Sequence, residues 1–243
     1  MIKKTATVYC LCALTICSAL ACAQAVTVTA DVALVSGNKK SKARRASNVV
    51  LWLTPTGNVP APNAPAIPAS NLPQLVQRNK SFEPHVLVVP VGSVVEFPNR
   101  DPFFHNVFSL FEGKRFDLGL YEAGTTRNVI FDKPGISYIF CNIHSEMSAV
   151  VIAVSSPYYG ISDQHGRVTI PNVPPGRYTL RIWYEETLPE QLNNLTREVT
   201  ISEDAANLGA MRLPATNMPQ GHENMYGHDY PPPLPDSPTY ERH

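Results

Sequence analysis

The sequence predicts an all-β fold, on two observations from its 243 residues. Short runs rich in Val, Ile, Phe and Tyr are separated by Pro, Gly and Asn, which is typical of a β-sandwich or barrel. No long stretch of the sequence places apolar residues at helical spacing. The 44% share of apolar residues, against 16% charged, fits a chain that buries a core, and the length allows one or two domains.

The predicted strands follow one another at the spacing of a meander. Residues 26–35 first alternate between apolar and polar positions, as expected of a half-buried strand. Gly92 separates two apolar runs and indicates a turn or a bulge. The remaining predicted strands are 49–53, 86–91, 93–97, 129–131, 137–141, 149–154, 168–170, 178–184 and 197–201.

The first 25 residues predict a signal peptide, residues 1–25, and therefore export. Lys3 and Lys4 precede an apolar run, and Ala23-Gln24-Ala25 supplies the small-x-small pattern at which signal peptidase cleaves. The run is too short for a permanent membrane span, so no integral span is expected after cleavage. The predicted location is the periplasm, with a lipid anchor at Cys22 as the alternative.

Export changes the meaning of the cysteines. Four of the five Cys lie in the predicted signal peptide, so the exported chain keeps only Cys141. A single thiol in an oxidising compartment is either free or held by something else. Without Lys3 and Lys4 the chain has 18 Lys and Arg against 20 Asp and Glu, so a nucleic acid partner is not expected.

The segment from Tyr138 to Met147 carries the chemistry. A predicted strand ends at Cys141, and a tight loop brings back His144 and Met147 before the next strand. A further imidazole, His105, lies 36 residues before the cysteine. Thiolate and thioether are soft ligands that favour copper, and two imidazoles suit both of its oxidation states. These four side chains therefore predict one copper ion in an electron-transfer geometry, held stiffly because three ligands share one loop.

These residues resemble those of the cupredoxins, the small blue-copper proteins. The loop Cys141-Asn142-Ile143-His144-Ser145-Glu146-Met147 is similar to the short Cys-x-x-His-x-x-Met loop of amicyanin, and His105-Asn106-Val107 is similar to a plastocyanin motif. The resemblance implies a Greek-key cupredoxin β-sandwich over residues 75–155. It also implies His105, Cys141 and His144 as equatorial ligands of one type 1 copper ion, with Met147 as the axial ligand.

The resemblance also covers the surroundings of the ligands. It implies that Asn106 ties the two ligand segments, the one that begins at His105 and the loop 141–147, together through hydrogen bonds. It implies that electrons leave through His144 and that apolar residues around His144 form a docking patch. For these residues, ordinary core packing is the alternative. The residues of this patch are Pro102, Phe103, Phe104 and Ile143. His85 lacks such neighbours in the sequence and is expected to be structural.

Residues 162–180 resemble a second family, the carboxypeptidase-regulatory-like modules, which are transthyretin-like β-sandwiches. Their pattern ends here in Pro175-Gly176-Arg177-Tyr178, which places turn residues before a strand. We predict that the cupredoxin unit is inserted into this second sandwich, formed by 26–57 and 156–214; two or three units side by side are the alternative. Asp163 and His165 lie in a predicted turn and are expected to be structural.

Two stretches predict little regular structure. Residues 58–74 are a Pro-rich linker, and residues 215–243 are a disordered tail. The tail contains side chains that could bind copper weakly but that lack a rigid scaffold. These side chains are Met218, His222, Met225 and His228.

The leading functional hypothesis is a periplasmic carrier of single electrons between redox protein partners. Copper storage, delivery or sensing with the same ligands is the second hypothesis, which the tail favours, and a metal-free adhesion or interaction module is the third. An enzyme is not expected, because copper oxidases and nitrite reductases need further His ligands, commonly as His-x-His, and the sequence has no such pair. Methylamine utilisation is one context among several.

Overall fold

The fold is almost entirely β-structure, as the sequence predicts. The computed structural model describes residues 24–35, 44–57, 71–110, 113–215 and 223–230. These residues contain seventeen strands and one short helix, α1 (Pro189–Asn194), which has proline in its first turn, where a fixed φ is favourable. The strands are β1 (Val26–Val35), β2 (Arg44–Arg45), β3 (Val50–Pro55), β4 (Val76–Arg78), β5 (Ser81–Glu83), β6 (Val86–Pro90), β7 (Ser93–Pro98), β8 (His105–Ser109), β9 (Phe116–Tyr121), β10 (Thr126–Phe131), β11 (Gly135–Phe140), β12 (Ser148–Val154), β13 (Tyr159–Ile161), β14 (Arg167–Val173), β15 (Gly176–Trp183), β16 (Arg197–Ile201) and β17 (Asn207–Pro214).

Strands from the beginning and the end of the described chain build two sheets together. In the first sheet β1 lies between β14 and β17, antiparallel to β14 and parallel to β17, and β2 also pairs with β1. The second sheet has the order β13-β3-β15-β16. Both sheets therefore combine strands that precede β4 with strands that follow β12.

The strands from β4 to β12 form other sheets. The largest has five strands in the order β6-β12-β11-β8-β9, while β7 pairs with β10 and β4 pairs with β5. β6 runs parallel to β12, whereas β11 is antiparallel to both of its neighbours.

β12 connects the two groups of sheets, because both of its faces are buried. Side chains alternate between the faces of a strand. Val150 and Ile152 pack in an apolar cluster together with residues of β1, β3 and β15. Val151 and Ala153 pack in a second cluster that contains Cys141, which we call the site cluster.

The register of β8 and β11 brings the candidate ligands to one end of the five-stranded sheet, where β8 begins and β11 ends. Phe108 pairs with Phe140 in an antiparallel ladder. The first residue of β8, His105, therefore lies at the same end of the sheet as the last residue of β11. The loop 141–147 connects β11 to β12 at this end of the sheet, and we call it the ligand loop.

Several predictions concern residues outside those described. They are residues 1–23 of the predicted signal peptide, residues 58–70 of the predicted linker, and residues 216–222 and 231–243 of the predicted tail. In the described part of the chain, no helix is long and apolar enough to cross a membrane.

Candidate metal centre

Two imidazoles and one thiol converge where β8 begins and β11 ends. The Cys141 sulfur lies 3.6 Å from Nδ1 of His144 and 3.8 Å from Nδ1 of His105. One potential ligand atom from each of these residues lies within 4.8 Å of the other two. Cys141 and His105 are fully buried, and His144 is half-buried. The structure thus brings together three of the four side chains named from the sequence.

The two sulfur–nitrogen distances fit a metal ion bound between the thiol and each imidazole. Metal–nitrogen and metal–sulfur bonds of about 2.0 and 2.3 Å, the lengths found for zinc, place the two donor atoms about 3.7 Å apart when the angle is roughly 120°. The two sulfur–nitrogen distances lie close to this value. One thiolate and two imidazoles are also the donor types that copper accepts.

Met147 closes the ligand loop. Its amide donates a hydrogen bond to the carbonyl oxygen of His144 (3.1 Å), and its carbonyl oxygen accepts one from the amide of Cys141 (3.2 Å). Its side chain is fully buried in the site cluster. The thioether therefore lies among the same apolar side chains as the thiol.

Cys141 is a free thiol in a low-dielectric site. Burial raises its pKa above the ordinary value, and hydrogen bonds from the backbone amides of Ile143, Asn106 and His144 partly oppose that rise. The rise reflects the poor solvation of a buried thiolate. A cation beside the sulfur would remove this penalty, and the amides that favour the thiolate come from both ligand segments.

Both imidazoles have the protonation state that a metal ligand needs. Burial lowers the pKa of His105, although the hydrogen bond to Asp101 works in the opposite direction. Burial, with the added effect of His105, lowers the pKa of His144 to about 4. A ligating histidine must be neutral, so neither ring has to lose a proton near pH 7 before it can bind a metal.

Asp101 fixes the orientation of His105. Nε2–H of His105 donates a hydrogen bond to Oδ2 of Asp101 (2.8 Å), which leaves Nδ1 facing the sulfur of Cys141. The same carboxylate accepts the amides of Asn79 (2.6 Å) and Lys80 (3.0 Å). Burial raises the pKa of Asp101, but the hydrogen bonds from Lys80, His105 and Asn79 outweigh burial, and its net pKa lies below the ordinary value.

Asp101 was not among the residues predicted from the sequence. The available signal was a carboxylate four residues before a candidate ligand, since carboxylates commonly orient metal-binding imidazoles. The spacing alone does not establish the contact, because residues four apart face each other only in a helix or in a tight loop such as this one.

The apolar residues expected to form a docking patch fall into two groups. Phe104 and Ile143 are 39% and 40% exposed, and Pro102 is exposed as well. Phe103 instead packs its ring against both imidazoles, at centroid distances of 5.2 Å from His105 and 5.7 Å from His144. Exposed apolar side chains therefore flank both ligand segments, while Phe103 helps to enclose the rings.

Asn106 connects the two ligand segments through its backbone. Its amide hydrogen-bonds the sulfur of Cys141. Its side chain points elsewhere, because Nδ2 donates to Oδ1 of Asp117 (2.8 Å) within the β8–β9 pair.

His85, Asp163 and His165 lie outside the cluster of candidate ligands. The ring of His85 contacts the carbonyl oxygen of Ser148 (3.2 Å) and the carboxylate of Glu185 (2.6 Å). Asp163 accepts the amide of His165 (2.8 Å) and so closes the turn before β14.

Residues 223–230 of the C-terminal tail lie against the ligand loop. Residues 223–230 form a hydrogen-bonded turn, and their ends reach the loop. The amide of Met225 donates to Oδ1 of Asn142 (2.9 Å), and the hydroxyl of Tyr230 donates to the carbonyl oxygen of Cys141 (2.5 Å). These contacts join residues 83 and 89 positions apart, so no local sequence pattern could have indicated them.

Comparison with known proteins gives distant likenesses to solved structures. No family model matches the chain, and no curated protein matches it. Among solved structures, a purple cupredoxin from Nitrosopumilus maritimus is 22% identical over 34% of this chain and 99% of its own, with a TM-score of 0.31. A mutant amicyanin in the Cu(I) form is 19% identical over 43% of this chain and 98% of its own, with a TM-score of 0.34. A copper-containing nitrite reductase from Thermus scotoductus is 27% identical over 38% of this chain and 25% of its own, with a TM-score of 0.34.

Proposed function

We propose that the protein binds one copper ion through His105, Cys141, His144 and Met147 and carries single electrons through it. The observation that supports this proposal most strongly is the convergence of one thiol and two imidazoles within 4.8 Å of one another. Together with a buried thioether they make up the donor set of type 1 copper sites. Copper bound there supplies the chemistry, since it alternates between two charges that differ by one electron.

The polypeptide holds these side chains in place. The ring of His105 is oriented by its hydrogen bond to the carboxylate of Asp101. The backbone amide of Cys141 is held by its hydrogen bond to the carbonyl oxygen of Met147. The sulfur also accepts amide hydrogen bonds from both ligand segments. Ligands held by packing and by hydrogen bonds rearrange little when the charge in the site changes, and fast electron exchange requires this rigidity.

We further propose that redox partners dock where His144 approaches the surface. His144 is half-buried, whereas His105 and Cys141 have no exposed surface. The exposed side chains of Phe104 and Ile143 flank the two ligand segments and supply apolar contact area. A small apolar patch on a nearly neutral protein suits brief contacts with several partners.

The remaining strands are proposed to form a supporting sandwich, made of residues 26–57 and 156–214 and interrupted by the metal-binding unit 75–155. The pairing of β1 and β3 with strands that follow β12 supports this division. Export to the periplasm, with a lipid anchor at Cys22 as the alternative, remains a proposal based on the first 25 residues.

Addition of Cu(II) to the purified protein tests the proposal. We expect an intense blue colour from thiolate-to-copper charge transfer, and we expect Cys141→Ser to abolish it. Ser145→Ala is the matched control, because Ser145 lies in the same loop with an exposed side chain, and this variant should stay blue. A protein that binds no copper would overturn the proposal.

Copper delivery is a second candidate, favoured by one observation. Met225 and His228, two residues with copper-binding side chains, belong to the segment that lies against the ligand loop. A carrier keeps its metal through repeated cycles of reduction and oxidation, whereas a delivery protein loses Cu(I) to a competing chelator within the same time. Colourless but tight Cu(I) binding would also favour delivery.

A further inference from the structure

We propose that residues 223–230 form a strap that positions the ligand loop, with Tyr230 as its positioning residue. The inference rests on the proposed copper site and adds to it a segment from the far end of the chain. The strap acts on the backbone of a ligand and not on the metal itself.

The strap contacts two consecutive residues of the ligand loop. The Tyr230 hydroxyl donates to the carbonyl oxygen of Cys141 (2.5 Å), and the Met225 amide donates to Oδ1 of Asn142 (2.9 Å). Tyr230 and Met225 are both half-buried. A hydrogen bond from a partly buried hydroxyl to the carbonyl oxygen of a fully buried residue is costly to lose, because water replaces it poorly.

These contacts complete the fixation of Cys141. The amide of Cys141 already donates to the carbonyl oxygen of Met147 (3.2 Å), which holds the peptide group before the ligand. The Tyr230 hydroxyl holds the peptide group that follows it. With both peptide groups held, the Cα–Cβ bond of Cys141 has a fixed direction, and the backbone amides that hydrogen-bond the sulfur limit its rotation about that bond.

The strap has internal hydrogen bonds of its own, because Asn224 closes it into a turn. Oδ1 of Asn224 accepts hydrogen bonds from the backbone amides of Tyr226 (2.9 Å) and His228 (3.2 Å). The backbone amide of Asn224 donates to the carbonyl oxygen of His228 (2.8 Å). Gly227 has a φ of +74°, a conformation that glycine adopts without strain. A preformed turn loses less conformational entropy when it binds, so two hydrogen bonds can be enough to hold it.

Tyr230→Phe removes one hydroxyl and tests the strap in the full chain. In the metal-free protein we expect faster hydrogen exchange at the amides of Cys141 and Met147, which the loop hydrogen bonds protect. In the copper-loaded protein we expect release of Cu(I) to a chelator to become roughly twofold to tenfold faster, the range that corresponds to one hydrogen bond. The charge-transfer band should also shift, because the direction of the sulfur changes.

Two further variants make the test specific. Tyr226→Phe removes the same group from a residue of the strap that is 71% exposed, and it should leave exchange and release unchanged. Asn224→Ala disrupts the turn without touching the ligand loop, and it should change both quantities in the direction of Tyr230→Phe.

The outcomes separate the strap from the copper site. Unchanged amide exchange and unchanged copper release in both Tyr230→Phe and Asn224→Ala would overturn the strap. Faster amide exchange supports the strap whether or not metal is present. Failure of the unaltered protein to bind copper would overturn the proposed function alone.

Discussion

His105 lies between two partners that require different protonation states of its two ring nitrogens. Nε2 carries a proton toward the carboxylate of Asp101, and Nδ1 faces the sulfur of Cys141 with its lone pair. The carboxylate is itself fixed by two backbone amides, from Asn79 and Lys80. The orientation of this ligand therefore depends on a carboxylate outside the ligand set.

Asp101→Asn tests this dependence. The amide keeps the shape of the side chain but lacks the negative charge that holds Nε2–H, so His105 can rotate or change tautomer. We expect the affinity for Cu(I) to fall by about 10- to 100-fold, the usual effect of losing such a partner. Competition with a chelator measures it.

The control for this prediction is Asp163→Asn. Asp163 also accepts backbone amides in a turn, from His165 and Arg167, but it lies outside the ligand cluster. An equal loss of affinity in both variants would show that Asp101 has no specific effect on the site.

The candidate ligands could be predicted from the sequence because three of them share one short loop. Cys141, His144 and Met147 follow each other at fixed spacing after a predicted strand, and their side-chain chemistry is informative by itself. Asp101 and Tyr230 could not be assigned in this way. Their roles depend on which backbone groups the fold brings near them, and common residues such as these carry no distinctive pattern.

At the level of the elements, β12 belongs to two cores, as does its neighbour β6. The residues of β12 alternate between the site cluster and the larger cluster built on β1, β3 and β15. The ligand loop ends where β12 begins. Packing on the face of β12 away from the site therefore also supports the end of this loop.

Ile152→Ala should destabilise the whole protein, although Ile152 lies in the cluster away from the site. The side chain is 1% exposed, and removing such a side chain costs about 2–5 kcal/mol through lost burial and the remaining cavity. Urea unfolding of the metal-free protein measures the loss. Ile130→Ala is the control on β10, because Ile130 is 54% exposed, and it should lower the free energy of unfolding far less. Equal effects of the two substitutions would contradict this description of the core.

The sequence predicted the strands that consist of uninterrupted or alternating apolar residues, and it missed others for physical reasons. β9 has a single fully buried residue, Tyr121, and contains Gly119 at a φ of +65°, so it lacks a continuous buried face that would show in the sequence. β17 pairs with β1 across a register shift between Thr29 and Asp31, and the extra residue interrupts the alternation of side chains.

On the scale of the whole molecule, a side-chain pair connects the site-bearing strands to the other sheets. His85 lies between β5 and β6, and Glu185 follows β15. Nε2 of His85 lies 2.6 Å from the Glu185 carboxylate, and Nδ1 lies 3.2 Å from the carbonyl oxygen of Ser148. Both partners only accept hydrogen bonds, so the ring satisfies them together only when both nitrogens are protonated.

The stabilisation from this pair should depend on pH. The hydrogen bond to Glu185 raises the pKa of His85 above its ordinary value of 6.5, although burial works in the opposite direction. A raised pKa in the folded state means that the contribution is complete below pH 6.5 and is lost as the pH rises through the folded-state pKa. His85→Gln should therefore lower the urea midpoint more at roughly pH 6 than at roughly pH 9.

Glu185→Gln provides the matched control for the pair. This variant should show the same pH dependence as His85→Gln, because either substitution breaks the same contact. The effect is modest, since both side chains are more than a third exposed to solvent. A loss of stability that is equal at both pH values would contradict the assignment of an ion pair.

X-ray absorption at the copper edge tests the proposed ligand set most directly. In the copper-loaded protein we predict one short sulfur bond and two imidazole nitrogens in both oxidation states, with bond lengths that change little on reduction. Cys141→Ser should remove the sulfur signal. Copper surrounded only by nitrogen and oxygen in the unaltered protein, in either oxidation state, would contradict the proposed centre.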